Sequence, residues 1–179
     1  MKRTLTEDVI YPAHDPRTES STFVHTKSVG KKADTRCVIS GSPLVEYHHL
    51  FCEWAFMEAV DWQVVKNIAL GIQTEFEVYD PLTMIKSGEK IDIKKTLIYM
   101  IIEFIKFRGF DFANFDITKP ETLVDSAYQM LPIHEKVHRG VNHGIHAMSG
   151  PIWLFQAFTK VEGYAFSPDE LELIRKTHT

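Results

Sequence analysis

Val45-Glu46-Tyr47-His48-His49-Leu50-Phe51 is a short strand-like run that ends in two adjacent histidines. Eighty-five residues beyond His49 comes a second cluster, Leu131-Pro132-Ile133-His134-Glu135-Lys136-Val137-His138-Arg139-Gly140. The chain has nine histidines, and six of them are His48, His49, His134, His138, His143 and His146. Scattered surface histidines would not bunch in this way. The two stretches are therefore expected to fold together around one metal site, with the remaining residues holding them in place.

On the N-terminal side, Arg36-Cys37-Val38-Ile39-Ser40 is a β-branched run and Gly41-Ser42-Pro43 is turn chemistry, so residues 36–50 read as a β-hairpin. Residues 1–35 are polar and carry no sustained period; they read as an arm that is loosely ordered or lies across the core. On the C-terminal side, residues 51–70 read as helical with a break at Asp61, a capping residue, and an end at Gly71. Residues 74–78 alternate like a strand. Residues 91–108 form the strongest helical pattern, with Leu97, Met100, Ile101, Phe104 and Ile105 on one face. An aromatic loop with Phe110, Phe112 and Phe115 follows. Thr118-Lys119-Pro120-Glu121 is a capping box that should start a helix to about Met130. Pro132 should open the next helix, the one bearing His134 and His138. Two further helices are expected over 152–161 and 167–176. The fold class is α+β, mainly helical.

Bulk properties narrow the function. With 179 residues and 44% hydrophobic content, the chain suits one core with an appended arm. No signal peptide is read at the N-terminus, and the apolar run 97–107 is too short to span a bilayer and contains Glu103 and Lys106, so a cytoplasmic, membrane-free protein is expected. Cys37 and Cys52 form no C-x-x-C pair and read as free thiols. A net charge of −4 argues against wrapping nucleic acid by bulk electrostatics, though Lys27, Lys31, Lys32 and Arg36 make a local basic run.

The chemistry follows from spacing. On a helix, His134 and His138 at i and i+4 share a face and can bind one ion. A histidine from the strand end, His48, completes three protein ligands and leaves positions for water and a phosphate oxygen. His49 then acts as general base on the attacking water, since a neutral imidazole is suited to take a proton near neutral pH. Lys136 or Arg139 adds positive charge. The metals considered are Mg²⁺, Mn²⁺, Ni²⁺ and Zn²⁺.

Val45-Glu46-Tyr47-His48-His49 followed by Leu131-Pro132-x-His134-x3-His138 resembles the HNH endonuclease ββα-metal (His-Me) finger. The resemblance implies a β-hairpin plus helix carrying a divalent ion, with a large helical insertion over 51–130 inside a single domain spanning 36–179. It implies His48 as ligand, His49 as general base, His134 and His138 as further ligands, and nucleic acid, double-stranded DNA above all, as substrate. Cys37-Val38-Ile39-Ser40-Gly41 looks like half of a zinc knuckle whose second cysteine is missing, so no structural zinc is implied. For the middle asparagine of the family, Asn114 and Asp125 are both candidates; His143 is a further candidate for support of the site. The chain also has the look of a small phage or prophage protein, which would place it in the host cytoplasm.

Two other classes remain open. One is a non-catalytic metal-binding or protein-interaction module. The other is a zinc hydrolase or protease, because His134-Glu135-Lys136-Val137-His138 fits H-E-x-x-H literally. That reading leaves His48 and His49 without a role, and its only downstream ligands, His143 and His146, lie too close on the chain.

Overall fold

The structure, a computed structural model, describes residues 18–79, 85–141, 144–147, 172 and 175–176. The fold is α+β with two small antiparallel sheets. The expected helices over 152–161 and 167–176 lie essentially outside the described residues, as does His143. The chain divides into two compact units: 1–26 with 49–130, and 27–48 with 131–179. The stretch expected as an insertion thus belongs to a unit with a core of its own.

In the first unit, Asp61 caps helix α2 (Trp62–Ala69) by accepting from Val64 N at 3.0 Å. A 3₁₀ helix (Trp54–Ala59) precedes it, and Gly71, at φ +71°, lets the chain leave. Strands β2 (Glu75–Tyr79) and β3 (Lys86–Asp92) pair antiparallel, with Phe76 opposite Ile91. Strand β3 is not among the expected elements, since Ser87-Gly88 is a pair that ordinarily breaks a strand. Gly88 sits inside β3 at φ +82°, within the part of the ladder whose register shifts. Helix α3 runs Leu97–Phe107, not from 91, because Thr96 caps it and Asp92 caps a short 3₁₀ turn just before. Of the expected apolar face, widened by Ile98 and Ile102, the Ile98, Ile101, Ile102 and Ile105 side is the one that packs on the core. Ile102 and Ile105 are buried, whereas Leu97, Met100 and Phe104 are exposed. The core joins Trp62, Val65 and Ile68 to Ile102, Ile105, Phe112, Phe115 and Leu123. The rings of Phe110, Phe112 and Phe115 meet edge-on, a favoured arrangement for aromatic quadrupoles.

The long helix expected from Thr118 to Met130 is a four-residue turn, α4 (Glu121–Val124). Thr118 bonds to Asp116 instead of capping, and the helix stops where Asp125 begins. Gln129 then stitches this end together. Its Oε1 accepts from Phe51 N and Cys52 N, and its Nε2 donates to Cys52 O and Val124 O, so a fully buried amide makes four bonds.

In the second unit, the reading of residues 36–50 as a hairpin is corrected. Residues 37–42 close on themselves: Gly41 N donates to Cys37 O and Cys37 N to Ser42 O. Strand β1 (Val45–His49) instead lies beside β4 (Met130–His134). Pro132 is in that strand rather than at a helix start; proline disfavours helical backbone at the residue before it. Helix α5 (Glu135–Arg139) follows at once. Cys37, Ile133 and Ile145 form a small core with Val45 and Val137 packed against it.

The polar N-terminal region is not unstructured where it is described. Helix α1 spans Ser21–Lys32, with Ser20 Oγ accepting from Phe23 N at 3.0 Å. Gly30 sits where a β-carbon would lie 1.7 Å from the Tyr47 hydroxyl, so a larger residue there would have to displace the Tyr47 side chain.

Candidate metal centre

Alternation along a strand puts Glu46 and His48 on one face of β1, with Tyr47 on the other. On that face the structure assembles His48, His138 and His146. Each offers one ring nitrogen, and the three nitrogens all lie within 4.8 Å of one another. The ring centroids are 5.3 Å apart for His48 and His138, 5.1 Å for His48 and His146, and 4.7 Å for His138 and His146. Nε2 of His138 stands 2.9 Å from Nε2 of His146. Nitrogens about 2.0–2.1 Å from one ion are roughly 3.3 Å apart in a tetrahedron, so small side-chain adjustments suffice for this cluster to hold a metal ion.

Two features position the group. Glu46 Oε2 lies 2.7 Å from His138 Nδ1. A carboxylate there takes the Nδ1 hydrogen and leaves Nε2 as the electron-pair donor, the usual outer support of a metal-binding histidine. Arg139 in turn holds Glu46: its Nε donates to Oε2 at 3.1 Å and its Nη2 to Oε1. Burial acts to raise the Glu46 pKa, but the hydrogen bonds and charges of His138 and Arg139 outweigh it and hold the carboxyl below its ordinary value. The second feature is Gly144. Its N–H donates to Gly140 O at 2.8 Å, and a β-carbon on it would stand 2.3 Å from Gly140 N. That close approach folds the 3₁₀ turn Ile145–Ala147 back onto α5 and returns His146 to His138.

His134 is not in this group. It has extended backbone, φ −66° and ψ 145°, and its Nδ1 accepts from Lys136 N as the cap of α5. The i, i+4 argument therefore fails, because only His138 of the pair is helical. The first histidine of the H-E-x-x-H match likewise lies before the helix that bears the second. His146, not among the expected ligands, takes the third place. Its signal in the sequence is the pair Gly140 and Gly144. Arg139, expected as catalytic, is the partner of Glu46.

His49 belongs to the first unit and is buried there. Its Nε2 lies 2.8 Å from Asp125 Oδ1 and its Nδ1 3.5 Å from Glu53 Oε2. Burial opposes charge on this imidazole, but the bonds to Asp125 and Glu53 outweigh that and raise its pKa. Asp125 is itself fully buried; its other oxygen accepts from Ser20 Oγ at 2.6 Å, and its carbonyl from Thr26 Oγ1 at 2.9 Å. Of the two candidates for a supporting residue, Asp125 is thus the one at His49, while Asn114 donates to Asp111 at 2.6 Å in the aromatic loop. Lys136 is exposed on α5.

No protein-family model matches the chain, and no curated protein or solved structure is similar to it. Among the described residues, no helix is long and apolar enough to cross a membrane.

Proposed function

We propose that this chain is a metal-dependent endonuclease that hydrolyses phosphodiester bonds, with His48, His138 and His146 as the metal ligands. The observation that carries the reading is the convergence of three imidazole nitrogens with Glu46 behind one of them. A purely structural site closes its coordination with four protein ligands, whereas the three found among the described residues leave room for water and a phosphate oxygen. An ion held there would supply Lewis acidity toward the phosphoryl group. The chain order, strand, strand, helix, with the ligands on the first strand and after the second, also agrees with a ββα-metal finger. The large insertion then falls between the two strands rather than between hairpin and helix.

In this reading His49, next in the chain to a ligand, is the general base. Asp125 lies at its Nε2, so Nδ1, which faces Glu53 Oε2 at 3.5 Å, is the nitrogen this reading assigns to receive a proton. Double-stranded DNA is the first substrate to try. Plasmid nicking with Mg²⁺, Mn²⁺, Ni²⁺ or Zn²⁺ tests the proposal. Cleavage should vanish in His138→Ala and in His49→Ala; cleavage that survives both substitutions sinks it.

A second reading, a metal-binding module without catalysis, is favoured by one observation. His49 is buried with a carboxylate at each ring nitrogen. Metal uptake without nicking, under every ion tried, would select it.

A further inference from the structure

The donor set of the triad speaks to which ion it takes, and the geometry around Glu46 speaks to how. We infer that the centre is a site for a nitrogen-preferring transition ion of the Zn²⁺, Ni²⁺ and Co²⁺ class, not for Mg²⁺ or Ca²⁺, and that Glu46 is its positioning residue. This rests on the ligand assignment above but not on any catalytic step.

Three imidazoles make up the ligand group, with no carboxylate in it among the described residues. Magnesium and calcium are hard cations that need oxygen donors and anionic charge. Imidazole suits zinc, nickel and their neighbours. The Glu46 carboxylate is directed at the far nitrogen of His138 rather than at the converging nitrogens. Arg139 engages both of its oxygens, which holds the carboxylate in that direction. The sequence Arg139, Glu46, His138 is therefore a chain of contacts that orients one ligand. It joins a strand to a helix 92 residues further on. Losing an outer partner of this kind typically costs about 10–100-fold in metal affinity.

The experiment is metal titration of the full chain, followed by cobalt ligand-field absorption and by competition. The wild type should bind one Co²⁺ with visible bands of low-coordinate cobalt, lose it to stoichiometric Zn²⁺, and keep it against a large excess of Mg²⁺. Glu46→Gln should still bind one Co²⁺, but about 10–100-fold more weakly. Its circular dichroism should match the wild type, and Arg139→Lys should fall between the two. Displacement of Co²⁺ by Mg²⁺, or wild-type affinity in Glu46→Gln, overturns the inference while leaving the nuclease reading intact. Tight, Glu46-dependent cobalt binding without nicking does the reverse. Absence of any metal binding in the wild type overturns both.

Discussion

Nε2 of His49 lies 2.8 Å from Oδ1 of Asp125, a carboxylate fully removed from solvent and 76 residues away in the chain. Ser20 occupies the other carboxylate oxygen at 2.6 Å. The order is serine, aspartate, histidine, so Ser20 is no activated nucleophile; both donors serve to hold the aspartate. Asp125→Ala leaves the buried His49 and the half-buried Ser20 without their acceptor and should cost roughly 3–5 kcal/mol, against about 1 kcal/mol for Ser20→Ala. Urea unfolding checks this, and equal losses for the two variants would show that Asp125 is not the hub.

Gly144 is expected to be needed for metal binding although it offers no ligand. With a β-carbon 2.3 Å from Gly140 N, Gly144→Ala must push the Ile145–Ala147 turn away and carry His146 with it. Cobalt affinity should fall about tenfold or more, as for loss of other supporting groups. Unchanged affinity would mean that His146 is not a ligand.

His134→Ala and His138→Ala should separate cleanly. The first removes a helix cap and should cost about 0.5–2 kcal/mol of stability, with metal affinity unchanged. The second should abolish stoichiometric metal binding. If His134→Ala also lost the metal, the i, i+4 arrangement would have to form in solution after all.

Gln129→Glu should be poorly tolerated at neutral pH. The amide nitrogen donates to Cys52 O and Val124 O, and a carboxylate would turn a buried charge toward two carbonyl oxygens. A loss of roughly 3 kcal/mol or more is expected, partly recovered at low pH where the new carboxyl is neutral. Thermal melts at two pH values decide it.

Cys52 supplies a prediction in the alkaline range. Burial, with the Glu53 charge beside it, pushes its thiol up to about 11 from an ordinary 9.0. Between these values the unfolded chain has lost the thiol proton and the folded one has kept it. The contribution of Cys52 is therefore fully present below pH 9 and is lost as pH rises toward 11. Thiolate absorbance of the Cys37→Ser variant should rise late, near pH 11, and Cys52→Ala should flatten the alkaline fall in stability. A thiol that titrates near 9 in the folded protein would remove the effect.

Local chemistry was largely legible. Asp61 and Gly71 bound α2 as their residue types suggest, Glu75–Tyr79 is a strand, and Gly109, at φ +98°, follows the end of α3. These features depend on neighbours within a few residues, and the chain carries their signals in its own order. Where a short segment could be two things, local signals misled. Val38 and Ile39 have strand propensity, yet they sit in a loop that closes through Cys37 and Gly41. Thr118 to Met130 has a helix signature, yet the helix ends where Asp125 meets Ser20 and His49.

What the chain by itself determined is the inventory: a histidine pair on an alternating strand, a second histidine cluster far downstream, and neutral nitrogen donors in place of acids. Which three imidazoles converge was settled only by tertiary contacts. Spacing in the sequence favoured His134 over His146, and the fold reversed that preference. One ends a strand that pairs with β1 and spends its ring on a helix cap; the other is folded back by two glycines that approach more closely than any side chain would permit. Such choices depend on partners tens of residues apart, whose pairing is rewarded only when the whole unit packs.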